Sequence, residues 1–153
     1  MPVGFKAAGI SAGLKSSGKS DLALLLAPEN TVCTGTFTQS LLRAPCVDLC
    51  IERITLNGGR ARAVLINSGQ ANACTGDRGW IDSLRATQVV ADHLGLSSRE
   101  VLISSTGVIG EPIPMKSLLN GVERLVDRLS DTGGLEAANA ILTTDLLPKQ
   151  FAL

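Results

Sequence analysis

The sequence predicts one α+β domain in which mixed sheet and helix pack as layers. Short runs of Leu, Val, Ile and Thr, bounded by Gly, Pro and Asn, fill its first third. Farther on, such runs alternate with segments whose apolar residues recur every three or four positions. A length of 153 residues with 44% hydrophobic content suits a single domain (1–153) with a sizeable core. Only 3% is aromatic, so Leu, Val, Ile and Ala must build that core.

In chain order, residues 4–13 read as a mixed strand and residues 21–27 as a strongly apolar one. Pro28-Glu29-Asn30 suits a hairpin connection to a Thr- and Val-rich strand over 31–38. Residues 62–67 form a short buried-type strand that runs into a polar, glycine-containing loop over 67–76. Trp80, Leu84, Thr87, Ala91 and Leu94 mark one stripe of a helix, and Gly95 stops it. Residues 100–104 are a strand signal. Met115, Leu118, Leu119, Val122, Leu125, Val126 and Leu129 mark a second helix, and the Ala-rich segment 134–142 a short third one.

Charge and composition exclude several classes. Lys plus Arg and Asp plus Glu both number 14, so there is no basic field for nucleic acid. The longest apolar run, 22–27, is far short of the roughly 18 residues of a membrane span. The N-terminus lacks the apolar block of a signal peptide, which makes a soluble cytoplasmic protein the expectation. Cys33, Cys46, Cys50 and Cys74 include no Cys-x-x-Cys pair, and His93 is the sole histidine, so no metal site is expected. The thiols read as buried and reduced, with Cys46 and Cys50 spaced to share a helix face. His93 has no second histidine or adjacent acid and supports no triad. Asp82, Asp92, Glu123 and Asp127, interleaved with Arg85, Arg124 and Arg128, read as solvated helix faces.

Three polar segments hold residues suited to chemistry. Ser105-Thr106-Gly107-Val108-Ile109-Gly110 follows a strand, and such a turn can aim N–H groups and a hydroxyl at a developing oxyanion. On local chemistry alone its composition is more commonly that of an ordinary strand-to-helix turn. Asn67-Ser68-Gly69-Gln70-Ala71-Asn72-Ala73-Cys74-Thr75-Gly76 can reach a ligand or merely satisfy buried backbone. It lacks the spacing of dinucleotide and phosphate loops. Thr143-Thr144-Asp145 with Pro148-Lys149 can grip the charged ends of an amino acid, or form a helix end and polar turn.

Taken together and in order, these strings are similar to the ornithine acetyltransferase (ArgJ) family. The same likeness runs through Gly4-Phe5-Lys6-Ala7-Ala8-Gly9-Ile10, Gly13-Leu14-Lys15, Asp21-Leu22-Ala23-Leu24, Phe37-Thr38 and Ala44-Pro45. It spans essentially the whole chain. Gln70 stands where the family commonly has Asn, and Gln39-Ser40 replace its usual x-Asn.

The resemblance implies the front part of a layered sheet-and-helix domain of the ArgJ/DmpA-like type. It implies an enzyme of arginine biosynthesis that moves acetyl from N-acetylornithine to glutamate. Acetyl-CoA serves some members as a further substrate, and no cofactor is implied. The family precursor cuts itself before a threonine, which then carries the acetyl group as an ester. Thr106 and Gly107 match the oxyanion-hole pair, and Thr143 matches a substrate-binding residue. The nucleophile and a preceding substrate lysine belong to a stretch beyond Leu153. The chain is therefore read as a truncated first (alpha) chain, inactive alone, whose partner is its own C-terminal (beta) chain in a heterotetramer of two alpha and two beta chains. Two other readings stay open: a non-catalytic small-molecule-binding or assembly domain of this fold, and a related amidohydrolase with an N-terminal nucleophile.

Overall fold

In the computed structural model of this chain, residues 1–150 are described. The apolar run at 22–26 organises the sheet. Strand β2 (Leu22–Leu26) pairs antiparallel with β1 (Lys6–Ile10) on one edge and with β3 (Ala63–Gln70) on the other. Strand β4 (Val101–Val108) then joins β3 in parallel, giving the order β1-β2-β3-β4.

A strand whose every residue is apolar needs cover on both faces, and β2 has it. Leu22, Leu24, Leu65, Val101 and Ile103 pack into the main core with residues of three helices, α1 (Pro45–Leu56), α2 (Gly76–Leu94) and α3 (Met115–Asp127). On the other face Ala7 and Ala23 meet Ala137 and Ala140 of the short helix α4 (Gly134–Ala140). All four of these residues are alanines because α4 lies almost on the sheet. A Cβ at Gly9 would overlap the Glu136 carbonyl, so any larger side chain would push the layers apart.

The expected α+β layering is present, and most elements fall where the sequence puts them. Gly95 ends α2 at φ 65°, the left-handed position glycine adopts at no steric cost. Other expectations need correction. Residues 31–38 form no strand; an isolated bridge joins Val32 to Arg60. Both edges of β2 are already taken by β1 and β3, so a hairpin partner has nowhere to pair. Helix α1 was not expected over its full length, because its buried stripe is Cys46, Leu49, Cys50 and Arg53. A buried arginine breaks the apolar pattern. Its guanidinium donates to the Val101 carbonyl, and burial draws its pKa down.

In α2 Thr87 and Ala91 of the expected stripe are buried, but the rest of the stripe is shifted. Leu84 is exposed, whereas Gly79, Ser83, Ala86 and Val90 are buried. Ser83 satisfies its own hydroxyl by donating to Gly79 O at 2.8 Å, which lets a small polar residue sit in the core. Asp82, expected in solvent, is half-buried near Arg78 at 3.7 Å, and burial raises its pKa. All four thiols are free, but only Cys46 and Cys50 are buried. Cys33 is half-buried, and Cys74 is exposed at φ 57°.

Candidate active site

The site begins where β3 and β4 run out of apolar residues. Asn67 lies opposite Ser105, Ser68 opposite Thr106, Gly69 opposite Gly107, and Gln70 opposite Val108. Both segments expected to be loops therefore begin as continued strand. Asn, Ser and Gly normally signal a turn because their side chains compete for local backbone groups. Here strand pairing prevails, and the side chains bond across and along the paired strands. Ser105 Oγ donates to Asn67 Oδ1 at 2.6 Å, and Asn67 Nδ2 donates to the Gln70 carbonyl at 3.0 Å.

Beyond the strands, residues 71–76 prepare α2. Asn72 is buried at φ 48°, with Nδ2 donating to Ser83 Oγ at 2.8 Å and to Gly79 O at 3.2 Å. Its Oδ1 accepts from Thr75 Oγ1 at 2.7 Å. A Cβ at Gly79 would overlap both the Thr75 and Asn72 side chains. The Asn72–Gly76 half of the motif thus holds the start of α2, while Gly69 and Gln70 face a cleft.

That cleft, of about 760 Å³, brings together Lys15, Gln70, Thr106, Gly107, Glu111 and Thr143. Thr106 and Gly107 are far from Thr143 in the sequence, and all three line one cavity. Thr144 joins them, whereas Asp145 and Lys149 form an exposed ion pair outside it. The third motif is therefore split between a cleft part and a surface part. Exposed His93 near the end of α2 takes no part.

The opposite wall is the loop between β1 and β2, and its anchor is Asp21. This fully buried carboxylate accepts backbone N–H bonds from Ala12 (2.6 Å), Leu14 (2.6 Å) and Lys15 (3.0 Å). Gln70 Nε2 donates to the Leu14 carbonyl at 3.0 Å, which fixes the orientation of that amide. Its Oε1 is buried without a partner among the described residues. Lys15 Nζ donates to Ser20 O at 2.9 Å and to Leu142 O at 2.5 Å. Burial draws the Lys15 pKa down, Asp21 pulls it back up, and Lys19 adds to the lowering. Ser68 Oγ donates to the Ala140 carbonyl at 2.5 Å. The roles of Asp21, Lys15 and Ser68 were not visible in the motifs. An acid directly before an apolar run is the one signal that points at Asp21.

Chemically the cleft offers threonine hydroxyls, an ammonium, a carboxylate and strand-end backbone. Such a set can hold a small polar molecule and stabilise negative charge on oxygen. Among the described residues no group of three His, Cys, Asp or Glu side chains is placed to hold a metal, and no helix is long and apolar enough to cross a membrane.

The ArgJ family model matches residues 6–153. Among curated relatives, the arginine biosynthesis bifunctional protein ArgJ of Prochlorococcus marinus (strain MIT 9313) is 69% identical over 152 residues. The match covers 99% of this chain and 36% of that protein. The protein of the same name from Parasynechococcus marenigrum (strain WH8102) is also 69% identical, with 37% of its length covered. Among solved structures, ornithine acetyltransferase from Mycobacterium tuberculosis, complexed with ornithine, superposes with a TM-score of 0.90 at 41% identity. That match covers 95% of this chain and 79% of the other. ArgJ from Bacillus halodurans gives 0.85 at 34% identity, covering 95% and 75%. The chain thus spans a little over a third of the length of the curated relatives.

Proposed function

Because this chain belongs to the ArgJ family, we propose that it is the front part of an acetyltransferase of arginine biosynthesis, moving acetyl from N-acetylornithine to glutamate. The observation that carries this reading is the convergence of Thr106, Gly107 and Thr143 on one cleft.

In the proposed reaction a threonine hydroxyl of the downstream (beta) chain attacks the acetyl carbonyl of N-acetylornithine. The carbonyl oxygen becomes an anion, and the Thr106 hydroxyl and Gly107 N–H donate to it. Collapse of this intermediate breaks the C–N bond, the ornithine amine leaves with a proton, and an acetyl-threonine ester remains. The glutamate amine then attacks that ester through a second oxyanion at the same place, the ester C–O bond breaks, N-acetylglutamate leaves, and the proton lost by the amine returns to the threonine oxygen. Thr143 binds the amino-acid portion of the substrate. Acetyl-CoA is the alternative acetyl donor, in keeping with relatives that are named bifunctional. The cytoplasm and an assembly of two alpha with two beta chains belong to the same proposal.

The test is acetyl transfer by the full-length polypeptide, with N-acetylornithine as donor and glutamate as acceptor. Release of ornithine together with N-acetylglutamate is expected. Release of acetate instead would make water the acceptor and favour an amidohydrolase. Ornithine binding without turnover would leave a binding module.

A further inference from the structure

We propose that Lys15 is a positioning residue of the cleft, holding the Leu142 carbonyl so that Thr143 stands opposite Thr106 and Gly107. This rests on the acetyltransferase reading.

A helix C-terminus leaves carbonyl oxygens without partners in the helix itself. Helix α4 ends at Ala140, and two long-range donors meet the carbonyls there. The Ser68 hydroxyl takes that of Ala140 at 2.5 Å, and the Lys15 ammonium takes that of Leu142, also at 2.5 Å. Thr143 is the next residue. From Thr143 to Leu147 the chain is exposed, so burial does little to place it.

Lys15 is itself well placed for this task. Its N–H is bound by buried Asp21, and the carbonyl before it, that of Leu14, is bound by Gln70. The ammonium is half-buried, lines the cleft, and spends its donors on the backbone carbonyls of Ser20 and Leu142. An exposed lysine keeps its conformational freedom. Here that freedom is given up to join the β1–β2 loop to a segment 127 residues later. The joined segment carries a cleft threonine.

The full-length polypeptide bearing Lys15→Met, Lys15→Arg, Thr143→Ala, and Lys15→Met with Thr143→Ala tests this. If Thr143 holds ground state and transition state alike, losing its position raises KM and spares kcat. Lys15→Met should raise the KM for N-acetylornithine about tenfold, with kcat changed less than about threefold. Lys15→Arg, which keeps a donor at that place, should recover most of the loss. In the Thr143→Ala background Lys15→Met should add less than about twofold, because coupled residues are not additive. A normal KM for Lys15→Met, or full additivity with Thr143→Ala, would overturn the proposal.

Amide hydrogen exchange over residues 142–147 gives a readout that needs no activity. Lys15→Met should speed exchange there while the thermal midpoint stays within a few degrees of wild type. Unchanged exchange defeats the positioning role even in a protein that transfers no acetyl group. Faster exchange in a protein without transfer upholds the positioning and removes only the acetyltransferase reading.

Discussion

Gly69 and Gly107 face each other across the parallel β3–β4 pair, both at positive φ, 127° and 135°. The contact leaves no room for a side chain. A Cβ on Gly107 would overlap the Gly69 carbonyl and reach the Gln70 nitrogen at 2.7 Å. Gly110 is the natural control, since its φ is 82° but a Cβ there meets nothing within 4 Å. Gly110→Ala should cost about 1–2 kcal/mol from backbone strain alone. Gly107→Ala should cost at least about 2 kcal/mol more, because backbone overlap cannot relax as a side chain would. Urea unfolding of both variants decides this, and equal losses would mean that the crowding is relieved elsewhere.

Thr106 precedes Gly107, lies opposite buried Ser68 and lines the cleft. If its hydroxyl meets an oxyanion, the bond matters only in the transition state. Thr106→Ala should then lower kcat by roughly 10²–10³ with KM nearly unchanged. Thr106→Ser keeps the hydroxyl and should stay within about tenfold of wild type. A full-length enzyme indifferent to Thr106→Ala would remove the oxyanion assignment.

How far the sequence could be read depends on where each residue finds its partner. Apolar periodicity located β2, α3 and most of α2, because burial imposes those spacings directly. It missed α1, where Arg53 occupies a core position by donating to a carbonyl 48 residues away. It placed a strand at 31–38 that has composition but no free sheet edge. The two polar motifs read as loops, since the bond between Ser105 and Asn67 exists only once β3 and β4 pair. Thr106, Gly107 and Thr143 were found through motif likeness. Asp21, Lys15 and Ser68, which build the walls around them, act through backbone atoms, and backbone recognition leaves no side-chain pattern.

Asp21 should therefore be the most sensitive polar residue outside the cleft lining. Its two carboxylate oxygens accept three N–H bonds with no exposure to solvent. In Asp21→Asn one of those oxygens becomes an NH₂ group, which turns a donor toward a donor. The loss should be about 2–4 kcal/mol, given the roughly 1.5–3 kcal/mol typical of bonds to a charged partner. Urea unfolding measures it. Unaltered stability would show that the β1–β2 loop has another anchor.

The buried thiols set an alkaline limit. Burial raises the Cys46 pKa, its neighbour Cys50 raises it further, and hydrogen bonds to Ser105 and Val47 partly oppose this. Burial likewise raises that of Cys50 and Cys33 adds to it, against the Ile103 backbone and Arg53. A thiol whose folded pKa lies above its unfolded value contributes stability that is complete below the unfolded pKa. That contribution is lost as pH rises through the window up to the folded value. An unfolded thiol ionises near about pH 8.5, so the loss should begin at about pH 8. The double variant Cys46→Ala with Cys50→Ala lacks both groups. Its stability deficit against wild type should be constant below about pH 8 and shrink at higher pH. Urea midpoints across that range report the difference directly, and a deficit independent of pH would mean that the thiols ionise no less readily in the folded protein than in the unfolded chain.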